Sequence, residues 1–249
     1  MRSINVFSGC SCVGKSTYRD KFGNLPELQG AVSVGLNEVG IRYFGKRIMT
    51  KTEKVYRNQL AREEIQRRII VDGASQILLD MPMLTRENHQ EPFVRMVEET
   101  NRYLEIIEPE RAALENKTLD PSLCTVKLNV VLLYCSLNRV RDRIERRKRD
   151  ANYADSILRM EGVLRMGSQF EMPEAYEPLL INTTDESEEA EKGRMSEILT
   201  FFLRGEKPSQ EIVRGRMLEA QAFLDELKAE AARAGVSANT PFLASDYQR

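Results

Sequence analysis

Histidine is nearly absent from this chain. His89 is the only one in 249 residues, and the four cysteines, Cys10, Cys12, Cys124 and Cys135, fall at no metal-ligand spacing. Cys10-Ser11-Cys12 is C-x-C rather than C-x₂-C, which argues against a zinc site. The cysteines form no disulfide framework either, so the expected setting is reducing and cytoplasmic. No apolar run approaches the ~20 residues of a membrane helix. A strand-like run already begins near Ser3, leaving no room in this chain for a cleavable leader. Charge of one sign is missing too: the net charge is −1. A protein devoted to gripping long nucleic acid carries a basic excess, which this one lacks, although a local basic face can still hold a strand end. Internal repeats and low-complexity tracts are likewise missing. What remains is 41% hydrophobic and 30% charged residues, the composition of a soluble domain with one core and an appendage.

The most informative segment is Gly9-Cys10-Ser11-Cys12-Val13-Gly14-Lys15-Ser16. It fits G-x-x-x-x-G-K-[ST], the loop that wraps the phosphates of a nucleoside triphosphate. An apolar run, Ile4-Asn5-Val6-Phe7, precedes it, and a helix can begin with Thr17. That strand–loop–helix context is what the motif requires. Gly9 and Gly14 let the backbone turn tightly, the amides from Ser11 to Lys15 form an anion nest, and the following helix adds its positive end. Lys15 is expected to reach the β- and γ-phosphates and Ser16 to ligate Mg²⁺. Cys10 and Cys12 are read as small side chains at variable loop positions rather than as acidified, redox-sensitive thiols.

Apolar runs at 4–8, 31–36, 76–80, 126–134 and 179–182 alternate with helical stretches, among them 57–71 and 91–107. This alternation predicts a parallel sheet covered by helices on both faces, with the chemistry just beyond the strand ends. The third run ends in Asp80, placed either to hold Mg²⁺ or to face an acceptor hydroxyl. The second runs into Glu38, the other candidate for orienting that hydroxyl. Arg42 and Lys46 follow it and can hold an anionic substrate. Segment 108–122 is polar, contains Pro109 and Pro121, and is expected to be an insertion.

Six arginines crowd the stretch after the fourth run: Arg139, Arg141, Arg143, Arg146, Arg147 and Arg149. At helical spacing Arg139, Arg143, Arg146 and Arg147 share a face. Arginine forks stabilise the charge that phosphoryl transfer spreads over the γ-phosphoryl oxygens. Arg143 and Arg147 are the expected catalytic pair on a lid near 139–153, with Arg139 on the nucleotide side. After the fifth run, Thr183 belongs to a polar turn that can border the base. Asp185 with Glu188 has the spacing of a capping box. Finally, Val213, Met217, Ala220, Leu224, Leu227 and Ala231 make an apolar seam on a helix over 209–234. That seam either packs on its own domain or docks a partner, including a second copy.

Together these residues resemble a P-loop kinase of the group that contains polynucleotide 5′-kinase, zeta-toxin-type kinases and chloramphenicol phosphotransferase. The resemblance spans about 1–203. It rests on the Gly9–Ser16 loop, on Gly73-Ala74-Ser75-Gln76-Ile77-Leu78-Leu79-Asp80, on Arg143 with Arg147, on Ile181-Asn182-Thr183-Thr184, and on 154–160. It implies a doubly wound α/β fold with strand order 2-3-1-4-5 and a mobile arginine lid. The implied division is a kinase domain over 1–205 and a helical extension with a tail over 206–249. The implied activity is ATP- and Mg²⁺-dependent transfer of the γ-phosphoryl group to a hydroxyl of a small molecule, a nucleotide or a nucleic-acid end. The group commonly carries an Asp after the second strand with an Arg three positions on; here Asn37 and Glu38 occupy that region. A nucleotide-switch NTPase docking through the C-terminal helix is the alternative function.

Overall fold

The computed structural model describes residues 2–45, 51–83, 85–149, 160–173 and 176–236, with the side chains of Lys51 and 147–149 outside the description. Five strands form one parallel sheet: β1 (Arg2–Ser8), β2 (Val32–Gly35), β3 (Gln76–Asp80), β4 (Val126–Tyr134) and β5 (Leu179–Asn182). Their order is β2-β3-β1-β4-β5, the expected one. β1 is central and buried on both faces, as a strand flanked by two parallel neighbours must be.

Alternation along β1 divides the core. Ile4 and Val6 pack on one side with Ile65, Ile69, Phe93 and Leu104. These come from α3 (Lys51–Ile70) and α4 (Glu91–Leu114), with α2 (Leu36–Phe44) beside them. Phe7 packs on the other side with Phe22 and Phe202, ring centroids 5.4 Å away in each case. Here lie α1 (Lys15–Gly23), α5 (Leu137–Arg149), α6 (Met160–Ser168), α7 (Glu188–Arg204) and α8 (Gln210–Arg233). Asn5, on the same face as Phe7, is buried and accepts a hydrogen bond from Asn129 Nδ2 at 2.8 Å, so neither amide is left unpaired across the β1–β4 pair.

Three boundaries depart from the sequence-based expectation. α3 starts six residues before 57, because a charged helix shows no apolar onset to mark its first turns. The helix expected to close at 107 continues to Leu114 straight through Pro109. Pro109 is exposed, and Glu108 beside it is buried in ion pairs with Arg2 (3.1 Å) and Arg111 (2.8 Å) that hold the turn. So 108–114 is helix rather than inserted loop. The expected capping box is displaced: Ser187, not Asp185, caps α7, accepting from the amide of Ala190 at 3.3 Å. Asp185 accepts from the Ser187 amide at 2.8 Å, a local turn, since a carboxylate two residues upstream reaches that amide first. The C-terminal seam turns inward: Ala220, Leu224, Leu227 and Ala231 are buried in the core, while Met217 is 45% exposed. No helix among the described residues is long and apolar enough to cross a membrane.

Candidate active site

The loop after β1 has the backbone its sequence requires. Gly9 adopts φ 131°, and a Cβ there would lie 2.3 Å from the carbonyl oxygen of Leu133. Only glycine fits, and that close approach fastens the loop against β4. Gly14 adopts φ 105° as the N-cap of α1. Between them Cys12 takes φ 66°. Lys15 Nζ donates to the carbonyl oxygens of Gly9 (2.9 Å) and Cys10 (2.6 Å), so the ammonium curls over its own loop. Ser11 Oγ reaches Met166 Sδ of α6 at 3.0 Å, Val13 is fully buried, and Ser16 and Thr17 are exposed at the helix start.

The loop is supported from beneath by two residues. Thr183, 2% exposed, donates from its hydroxyl towards the carbonyls of Val13 (3.1 Å) and Tyr134 (3.2 Å). Arg143 donates to the carbonyl oxygen of Cys12 (2.9 Å), to Thr183 Oγ1 (3.1 Å) and to the Thr183 carbonyl (2.6 Å). Here Arg143 ties α5 to the loop and β5 rather than reaching open space, and Thr183 is a brace rather than a border. The expected sharing of one face by the α5 arginines is seen for three of them. Arg139 (3.4 Å), Arg143 (2.9 Å) and Arg146 (2.8 Å) all close on the carboxylate of Glu186. Although partial burial opposes it, the hydrogen bonds and charges of Arg143 and Arg146 hold Glu186 below the usual carboxylate range. The side chain of Arg147, Lys46, and 154–159 lie outside the described residues.

The candidate acids meet on the opposite side of the loop. Ser16 Oγ donates to Asp80 Oδ2 at 2.5 Å. Arg19, one turn along α1, joins Asp80 Oδ1 (3.1 Å) to Glu38 Oε1 (2.9 Å) and also holds Asp20 (2.8 Å). Asp80 and Arg19 are largely enclosed while Glu38 is half exposed. Although burial opposes it, the surrounding carboxylates, Asp80 foremost, raise the proton affinity of Arg19 further. Gly35, at the end of β2, makes room: a Cβ there would lie 2.1 Å from Arg19 Nη1 and 2.8 Å from Glu38. Sequence reasoning found Ser16, Asp80 and Glu38 but missed Arg19, which organises them. Arg42 points elsewhere, pairing with Glu64 at 2.7 Å.

The donor set suits Mg²⁺. A serine hydroxyl and one carboxylate oxygen beside a phosphate loop are the hard ligands this ion takes when substrate phosphates supply the rest. Consistently, no group of three or more His, Cys, Asp or Glu among the described residues could hold a metal unaided. Burial pushes the loop thiol of Cys10 up to about 12, and that of Cys135, just after β4, up to about 11.

No family model and no curated protein matches the chain. Solved structures do. A provisionally assigned kinase from Chloroflexus aurantiacus J-10-fl aligns at a TM-score of 0.50 and 9% identity, over 83% of this chain and 99% of its own. A gluconokinase from Sinorhizobium meliloti 1021 aligns at 0.49 and 15%, over 82% of this chain and 92% of its own. The chain spans 38% of the length of its counterpart in a Pnkp1/Rnl/Hen1 RNA repair complex, which matches 59% of it at 12% identity and a TM-score of 0.41. At these identities the likeness is one of architecture alone: a five-stranded parallel sheet in the order β2-β3-β1-β4-β5 with helices on both faces.

Proposed function

We propose that the chain is an ATP- and Mg²⁺-dependent kinase that moves the γ-phosphoryl group to a hydroxyl of a small molecule, a nucleotide or a nucleic-acid end. The observation that supports this best is the Ser16–Asp80–Arg19–Glu38 chain of contacts at the mouth of the loop. It gives two carboxylates different surroundings, and hence different tasks. Asp80, largely enclosed and bonded to Ser16, is the metal-side residue. Glu38, half exposed and held by Arg19, is the residue left to face an acceptor.

On this reading the loop amides and Lys15 cradle the triphosphate, with Lys15 leaving its two loop carbonyls to do so. Ser16 and Asp80 would hold Mg²⁺, which supplies charge neutralisation at the β- and γ-phosphoryl oxygens. Glu38 orients the acceptor hydroxyl, whose oxygen bonds to the γ-phosphorus as the bridge to the β-phosphoryl group breaks. ADP leaves and the hydroxyl proton passes to Glu38. Arg143 keeps the loop in shape, and Arg147 is the arginine proposed to reach the transferring group. A homodimer through 209–234 would have to use the outer side of α8, where Ile212, Met217 and Leu218 are exposed.

The test is label transfer from [γ-³²P]ATP across a panel of hydroxyl acceptors, with hydrolysis alone as the baseline. Stimulation of turnover by one acceptor class, abolished in Lys15→Ala while circular dichroism stays unchanged, is the expected result. Full turnover in Lys15→Ala would overturn the reading.

A further inference from the structure

The C-terminal helix α8 packs beside β5, the edge of the sheet, and its polar side chains meet that edge in order. Arg216 donates to the carbonyl oxygen of Leu180 in β5 (2.9 Å) and holds Glu197 of α7 by both carboxylate oxygens (2.5 and 3.0 Å). Further along, Glu219 meets the strand ends. Its Oε2 accepts from the hydroxyl of Tyr134 (2.8 Å), the last residue of β4, and from Nδ2 of Asn182 (3.0 Å), the last residue of β5. Those two residues are partners in the β4–β5 register, so one carboxylate oxygen spans the end of the strand pair. Burial first, and Glu219 after it, push the Tyr134 phenol up, which keeps it a donor. On its buried side α8 also backs the base of the loop: Ala220, Phe223 and Leu224 bound a void of about 10 Å³ together with Gly9 and Cys10.

Asn182 stands between this helix and the loop, and its carboxamide is engaged at both ends. Nδ2 donates to Glu219, and Oδ1 accepts from the amide of Thr184 at 2.9 Å. An ionised carboxylate only accepts and a backbone N–H only donates, so the two partners allow a single orientation of the carboxamide. That orientation fixes the turn after β5. Thr183, at its centre, donates its amide to the Tyr134 carbonyl at 2.7 Å, while its hydroxyl and carbonyl belong to the brace shared by Val13 and Arg143. Thr184 Oγ1 accepts from the amide of Ser136, just before α5, at 2.8 Å. The contacts therefore lead from α8 through Glu219 and Asn182 to the turn that supports the loop and to the foot of the arginine helix.

We infer that Glu219 is a positioning residue for the Gly9–Ser16 loop: through the Asn182 carboxamide it sets the 182–184 turn against which the loop leans, so that α8 is part of the nucleotide site and not an appendage to it. This rests on the reading of that loop as a nucleotide cradle. Glu219 touches no substrate; it works by offering an acceptor and nothing else to Asn182. Its side chain is exposed, so each contact has the strength of an ordinary hydrogen bond. Arg216, which ties α8 to α7 and to the middle of β5, serves the fold alone.

The test is Mg·ADP binding to the full chain by calorimetry, with thermal melting alongside. Glu219→Leu should weaken ADP about fivefold, the loss expected for one hydrogen bond. Asn182→Asp should weaken it at least as much, because the new carboxylate faces Glu219. Adding Glu219→Gln to Asn182→Asp should restore the parent affinity. The glutamine amide then donates to Asp182Asn's replacement carboxylate, whose other oxygen still accepts from the Thr184 amide, and the glutamine carbonyl accepts from Tyr134. Arg216→Gln, the control, should lower the melting midpoint while leaving ADP affinity unchanged. Parent-like ADP binding in Glu219→Leu would overturn the inference, and so would failure of the double variant to recover. Arg216→Gln weakening ADP as much as Glu219→Leu would also overturn it, because α8 would then be a structural support only. A parent chain that binds no ADP would remove the nucleotide reading itself, and the inference with it.

Discussion

At the scale of single residues, Arg19 has the largest leverage. Its guanidinium joins two carboxylates, Asp80 at the end of β3 and Glu38 in the first turn of α2, and the space for it exists because residue 35 has no side chain. Arg19→Gln should free Glu38 and leave Asp80 with Ser16 as its remaining described partner. Loss of a charge-assisted contact of about 1.5–3 kcal/mol would lower kcat roughly 10- to 100-fold. Nucleotide affinity should change far less, and comparing kcat with ADP binding by calorimetry checks the split. Equal losses in both would make Arg19 a ground-state nucleotide contact instead. Gly35→Ala should reproduce the kcat loss by pushing the guanidinium aside. None of this was legible in the sequence. An arginine four residues beyond the loop lysine follows no motif, and its partners lie 19 and 61 positions away. Glu38 and Asp80 were legible because the ends of apolar runs mark the ends of strands. Arg143 was placed correctly on a face with Arg139 and Arg146, but periodicity cannot say whether that face turns inward.

At the scale of elements, the close approach of α6 to α8 matters most. A Cβ on Gly167 would lie 2.9 Å from Leu227 Cδ1 and 3.1 Å from its Cβ, so the two helices touch nearly backbone to side chain. α6 also reaches the Gly9–Ser16 loop through Met166 and Ser11. Gly167→Val should therefore separate α6 from α8 at an overpacking cost of about 1–3 kcal/mol. For a chain of this size that lowers the melting midpoint by roughly 2–4 °C per kcal/mol. Because the loop contact goes with it, ADP binding should weaken as well, whereas a substitution on the outer side of α8, such as Leu218→Ala, should leave it untouched. Differential scanning fluorimetry with and without nucleotide separates the two cases. The C-terminal seam was visible as spacing alone; that it closes on its own chain depends on Gly167, a residue no helical period singles out.

At the scale of the whole molecule, the buried thiols and phenols set an alkaline limit. Burial raises Cys10 to about 12 and Cys135 to about 11, and drives Tyr134 and Tyr176 upward as well. The sign follows from linkage. In the unfolded chain these groups ionise at their ordinary values near 9 and 10, while the folded chain keeps them protonated. Stability is therefore complete below about pH 9 and falls as pH rises from there. Denaturant midpoints measured from pH 7 to 11 should stay level to about pH 9 and then drop. Cys10→Ala should flatten the drop even though it opens a small void. A decline already present at pH 8 would mean that the thiols are not held in this way. The same burial predicts that alkylating reagents modify Cys124, which is only partly covered, ahead of the other three.

The carboxylate shared by three arginines has one more consequence. Glu186 occupies its basic cage as a built-in stand-in for a guest, so an incoming phosphoryl group there would displace a tenant rather than fill bare positive space. Such a swap leaves local charge nearly constant. Nucleotide capture on that flank should then depend on ionic strength far less than six clustered arginines would lead one to assume.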